Sequence, residues 1–135
     1  MAINPLKVLF VASEVEGLVK TGGLADVAKA LPQHLARAGH DVRIILPFYQ
    51  TLKRRDEARL LASRWLPTPQ GRDDISYRIY QLELDGICVY LLDCPAYFER
   101  PQLYAENNQA YPDNGERFAF LAAAALHACE QLNFA

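Results

Sequence analysis

A short apolar run, Val8-Leu9-Phe10-Val11-Ala12, leads to the string Lys20-Thr21-Gly22-Gly23-Leu24-Ala25-Asp26-Val27, and a second apolar run follows at Val42 to Leu46. Short apolar runs bounded by polar residues read as buried parallel strands. The first spans Leu6 to Ser13, and Pro47 closes the second. Between them a helix starts near Gly22. Its Leu24, Val27, Ala28, Leu31 and Leu35 recur at helical spacing and are expected to face the sheet. Pro32 cannot donate to the carbonyl four residues back, so a kink or a restart is expected there. Gly39 suits the left-handed residue that follows a helix. Strand, crossover helix and strand make a βαβ unit, right-handed by a strong rule. This restricts the chain to an open α/β sheet.

Such a sheet presents backbone N–H groups to a phosphate at its first strand-to-helix turn. Lys20 adds a positive charge at that mouth. The turn is neither G-x-G-x-x-G nor G-x-x-x-x-G-K-[ST]. Further along, Thr51 to Arg59 is a charged, solvated stretch in which Asp56 and Glu57 offset Lys53-Arg54-Arg55. Leu60 to Leu66 reads as a strand and Pro67 to Asp74 as a loop. Ile75 to Leu84 and Ile87 to Leu92 form a hairpin around the turn signal Asp85-Gly86. Pro95 to Asp113 reads as irregular. Asn114 to Leu132 reads as a helix burying Phe118, Leu121, Ala122, Ala125, Leu126 and Cys129, with Asp113 or Asn114 as its cap.

Composition narrows the function classes. The 135 residues are 51% hydrophobic and 22% charged, which marks one globular unit with a real core. A net charge of -2 gives no long-range attraction to nucleic acid or to an anionic membrane. No apolar run approaches the ~20 residues that span a bilayer. Met1-Ala2-Ile3-Asn4-Pro5 lacks the pattern of a signal peptide. Cys88, Cys94 and Cys129 form no C-x-x-C pair and read as core thiols in a reducing compartment, so a cytoplasmic location is expected. No metal site is expected.

The full string is more specific than any one glycine. Ser13-Glu14 followed by Lys20-Thr21-Gly22-Gly23-Leu24-Ala25-Asp26-Val27 resembles the N-terminal signature of bacterial glycogen synthases and plant starch synthases. Ala38-Gly39-His40-Asp41-Val42-Arg43 with Leu46-Pro47, and Asp85-Gly86-Ile87 through Asp93, are similar to that family's next elements. Arg100-Pro101-Gln102-Leu103-Tyr104 and Tyr111-Pro112-Asp113-Asn114-Gly115-Glu116-Arg117-Phe118 resemble its later landmarks, with Gln102 and Ala105 where glycine is usual. The resemblance implies a Rossmann-like open sheet, the partial N-terminal domain (residues 1-135) of a GT-B-type glycosyltransferase. It implies glucose transfer from ADP-glucose to the non-reducing end of an α-1,4-glucan with retention, without a metal or other cofactor. The donor-binding C-terminal domain, its catalytic carboxylate and its base-recognising residues would lie outside these residues, so the 135 residues alone are expected to be inactive. The alternative is a non-catalytic nucleotide- or glucan-binding module.

By the same resemblance, Lys20 would hold the donor diphosphate and stabilise the leaving nucleotide. Gly22 and Gly23 would let backbone approach the donor with no Cβ in the way. Asp26 either meets the helix dipole or stands beside the donor glucose. Glu14 sits at the end of the first strand, where open sheets place ligands. Tyr104 offers a ring face and a hydroxyl to a sugar. Capping and a salt bridge account for Asp113, Asn114 and Arg117. His34, His40 and His127 are scattered and carry no catalytic role.

Overall fold

The computed structural model describes residues 4–71 and 73–134. The segment Met1 to Ile3, Arg72 in the 67–74 loop, and Ala135 therefore lie outside the described residues. Strands Lys7–Val11 (β1) and Asp41–Pro47 (β2) pair in parallel, with Val8 beside Val42 and Phe10 beside Ile44. Helix Gly23–Arg37 (α1) joins them, as the two apolar runs require. Ile87–Asp93 (β5) lies parallel to β2 on its other side, and Asp74–Leu84 (β4) and Arg59–Pro67 (β3) complete the sheet antiparallel. The order is β1-β2-β5-β4-β3, a mixed open sheet. The fold is α/β with a Rossmann-like parallel half.

β2 and β5 form the centre. Ile44, Ile45, Leu46, Val89, Leu91 and Leu92 are each 1% exposed or less. Burial of one such side chain contributes about 1.5–3 kcal/mol. The Asp85-Gly86 hairpin turn forms with positive φ at both residues (48° and 82°), the geometry that suits the strand twist. Gly39 follows α1 at φ 104°, and the amides of Gly39 and His40 bond back to Ala36 and Leu35, closing the helix end.

Four details depart from the sequence reading. β1 is an edge strand, half-buried, with Val11 exposed. α1 buries Ala28 as expected, but it turns Leu24, Val27 and Leu31 outward and buries Ala25 and Pro32 beside Ala28. Small side chains let the helix axis sit close to the strands, and spacing alone does not rank a leucine above an alanine. α1 also runs unbroken through Pro32, so no restart occurs. The last helix, Asn114–Gln131 (α3), buries Arg117, Phe120, Leu121, Ala124, Ala125 and Ala128, and leaves Ala122 and Leu126 exposed. Its run of alanines makes several faces equally apolar, so periodicity placed Leu121 and Ala125 inside correctly but misplaced Ala122 and Leu126.

The segment read as irregular carries a short helix, Pro95–Phe98 (α2), and a small hairpin, Ala105–Glu106 (β6) with Gln109–Ala110 (β7). Asn107 and Asn108 form its turn at φ 52° and 62°, which asparagine tolerates. Among the described residues no helix is long and apolar enough to cross a membrane.

The corrected face of α1 has a measurable consequence. Ala28→Leu should destabilise the chain by roughly 1–3 kcal/mol through overpacking, whereas Val27→Ala should change stability by under ~0.5 kcal/mol. Urea unfolding of the two variants checks this. A cost of over about 1 kcal/mol for Val27→Ala as well would restore the face expected from spacing, which holds both residues.

Candidate functional site

The segment between β1 and α1 is anchored before it reaches the glycines. Val15 and Leu18 are fully buried. Val15 and Val19 exchange backbone hydrogen bonds across a turn in which Gly17 takes φ 94°. The Glu16 amide bonds to the Ala25 carbonyl, and the Lys53 amide to that of Leu18. The chain therefore enters the Lys20 to Gly23 turn from a fixed direction.

Glu14 organises that turn. Its side chain is 2% exposed, yet no cation pairs with it among the described residues. Four neutral donors meet it instead. The Thr21 and Gly22 amides donate to Oε1 at 2.9 and 3.0 Å, and the Thr21 hydroxyl donates to Oε2 at 2.6 Å. The Tyr104 hydroxyl donates to Oε2 at 2.5 Å. That leaves Ser13 Oγ, 2.7 Å from the same hydroxyl, to act as the donor in their contact. Burial pushes the Glu14 carboxyl up, but the hydrogen bonds from Thr21, Tyr104 and Gly22 outweigh it and hold the group below the ordinary carboxylate value. Burial and the neighbouring Glu14 push the Tyr104 hydroxyl up to about 12, so it keeps its proton at neutral pH.

Lys20 and Asp26 form an ion pair at 2.7 Å, with both side chains about half exposed. The hydrogen bond to Asp26 raises the ammonium above its ordinary value, so Lys20 is charged at neutral pH. Gly22 lies in extended backbone (φ -164°), and neither Gly22 nor Gly23 takes a positive φ. Among the described residues, apart from the chain neighbours and the helix's own backbone, a Cβ on either would meet no atom within 4 Å. The chain's own fold thus places no demand for glycine at these two positions.

Two clefts flank this arrangement. One, of about 330 Å³, is walled by Lys20, Thr21, Lys53 and Gln102. The other, of about 490 Å³ and more apolar, is walled by Ser13, Leu24, Tyr104, Asn114 and Phe118. Glu14 bonds to Thr21 in the first wall and to Tyr104 in the second. Both clefts open near the carboxyl end of β1, where open sheets bind ligands.

All six residues singled out from sequence meet here: Glu14, Lys20, Gly22, Gly23, Asp26 and Tyr104. Sequence reasoning missed Ser13, Thr21, Asn114 and Arg117. The account of the last two by capping and a salt bridge is corrected. Among the described residues no side chain caps α3, and Asp113 forms its ion pair with Arg100, at 2.6 Å. Asn114 donates to the Tyr104 carbonyl at 2.9 Å. Arg117, fully buried, donates to the carbonyls of Tyr97 and Leu103 at 2.6 and 2.8 Å. No cluster among the described residues could hold a metal ion. His40 accepts the Leu6 amide and His127 contacts the Tyr77 hydroxyl, both away from this site.

Glu14→Gln leaves one acceptor oxygen for four donors. It should cost roughly 1–3 kcal/mol at neutral pH, the scale of leaving buried polar groups unsatisfied. The native carboxyl lies below its unfolded value, so its contribution is present above the ordinary carboxylate range and is lost as pH falls through the folded value. The variant should therefore lose less stability on acidification than the native chain. Urea titrations at neutral and acid pH measure both effects; parallel acid profiles would contradict the assignment.

Comparison with known proteins agrees with this geometry. The family model for the starch synthase catalytic domain matches residues 7–135. The chain is 83% identical over 135 residues to the glycogen synthase of Aeromonas salmonicida and 82% identical to that of Aeromonas hydrophila. Each alignment covers 100% of this chain and 28% of the relative, so the chain spans little more than a quarter of the curated relatives it matches. Among solved structures, the catalytic domain of starch synthase IV from Arabidopsis thaliana, bound to ADP and acarbose, superposes with a TM-score of 0.82. That match has 29% identity and covers 96% of this chain and 26% of the other. With a Lys-Thr-Gly-Gly turn held at the end of β1 and the family's pattern matched from Lys7 onward, the chain belongs to the starch synthase catalytic domain family.

Proposed function

We propose that this chain forms the first part of a glycogen synthase, which transfers glucose from ADP-glucose to the non-reducing end of an α-1,4-glucan with retention. The observation that carries the reading is the open space over Gly22 and Gly23 beside the Lys20 ammonium. Internal packing gives no reason for glycine there, whereas a donor approaching the backbone from outside does. The Lys20 charge suits a diphosphate, and its hydrogen bond to Asp26 raises the ammonium above its ordinary value. As the glycosidic bond breaks, negative charge grows on the leaving nucleotide, and a fixed cation lowers the energy of that state.

Glu14 and Tyr104 have narrower parts in this proposal. Both lone-pair-rich oxygens of Glu14 are engaged within the chain, and the Tyr104 hydroxyl is spent on Glu14. Glu14 therefore acts by shaping the turn, and Tyr104 has its ring face left for a sugar. ADP as the nucleotide accords with the ADP-bound relative. Three free cysteines accord with a reducing, cytoplasmic setting.

Two substitutions test the reading in the intact enzyme. Lys20→Ala should lower kcat/KM for ADP-glucose at least ~10-fold, the scale of removing one charge-stabilising group. Gly23→Ala, at the start of α1, should leave stability unchanged or raise it by up to ~1 kcal/mol, while donor use falls. Normal donor kinetics in both variants would overturn the donor site; loss of folding in Gly23→Ala would return that glycine to a structural role.

A further inference from the structure

We infer that Arg117 and Asn114 are positioning residues: from the first turn of α3 they set the backbone of Tyr104, and through it the Glu14 carboxylate and the glycine turn. The inference rests on the donor reading of that turn and extends it to side chains that act through the Tyr104 backbone.

Glu14 and Arg117 are the two charged side chains buried among the described residues. Neither has an opposite charge as its partner. Arg117 directs Nε to the Tyr97 carbonyl and Nη1 to the Leu103 carbonyl and to Asn114 Oδ1, at 2.6, 2.8 and 2.8 Å. Its guanidinium also lies 4.9 Å from the Tyr111 ring centroid and 5.2 Å from that of Phe118. Burial is the main cause that lowers its pKa, yet an arginine stays charged at neutral pH. A buried cation of this kind is held only where fixed dipoles and ring faces replace water.

The carbonyls it holds bracket the approach to Tyr104. Asn114 Nδ2 and the Tyr111 amide both donate to the Tyr104 carbonyl, each at 2.9 Å. Backbone on either side of the tyrosine Cα is thus fixed from α3, and the hydroxyl reaches Glu14 at 2.5 Å. Glu14 then fixes the amides of Thr21 and Gly22. The connected path runs Arg117, Asn114, Tyr104, Glu14, glycine turn. Lysine cannot replace the arginine, because one ammonium does not present the planar fork that spans two carbonyls and an amide oxygen.

The test separates positioning from simple support of α3. In the intact enzyme, Arg117→Lys should lower kcat/KM for ADP-glucose about 10-fold, and less than about twofold when Tyr104→Phe is already present, because the two act through one hydroxyl. An equal loss in both backgrounds would overturn the inference. Should Arg117→Lys not fold, Asn114→Ala in the same two backgrounds gives the same comparison at a half-buried position. A second readout needs no activity: amide exchange at Thr21 and Gly22 should quicken about 10-fold in either variant while Ile44 and Leu91 stay protected, the pattern of a local opening. Unchanged exchange at the turn would overturn the path. Faster exchange there with normal donor kinetics would sustain the path and overturn the donor reading.

Discussion

A carboxylate removed from water must be met by donors or it gives up its charge. At the end of β1 Glu14 is met by four, drawn from the glycine turn and from Tyr104 more than 80 residues later in the chain. The rest of the site depends on this convergence. It ties the entry to α1 to the segment between α2 and α3, and it does so with neutral partners. The turn is therefore shaped from within while the Lys20 charge stays at the surface, half exposed beside Asp26.

The two buried charges share one logic. A direct Glu14–Arg117 pair would cancel both charges and leave the turn and the Tyr104 backbone to find other partners. Each charge is instead spread over dipoles: amides and hydroxyls for Glu14, carbonyls and ring faces for Arg117. Breaking either set leaves an uncompensated buried charge, which costs more than an exposed ion pair is worth. Surface pairs such as Arg54 with Glu57, both at the rim, contribute little by comparison.

What the sequence conveys depends on how local the cause is. β1, α1, β2 and the 85–86 hairpin follow from short-range patterns, and the structure has each of them. The gathering of Glu14, Lys20 and Gly22 follows from one continuous string. The buried face of α1 was legible only at Ala28; Ala25 is chosen for closeness of approach, which hydrophobicity does not score, and Leu24, Val27 and Leu31 face out. Arg117 was not legible either. Arginine in a helix ordinarily signals surface, and its partners are backbone carbonyls of Tyr97 and Leu103, which any residue could supply. The Tyr104–Glu14 contact joins residues 90 apart and was not legible; the resemblance brought Tyr104 into view only as a sugar contact.

The central claim is that Glu14 acts by holding the glycine turn and does not itself grip the sugar. A crystal structure of the intact enzyme with ADP-glucose bound measures this directly. The account predicts that Glu14 keeps its bonds to the Thr21 and Gly22 amides, with the diphosphate beside Lys20 and over Gly22 and Gly23. A Glu14 carboxylate that has left those amides to bond a glucose hydroxyl would contradict it.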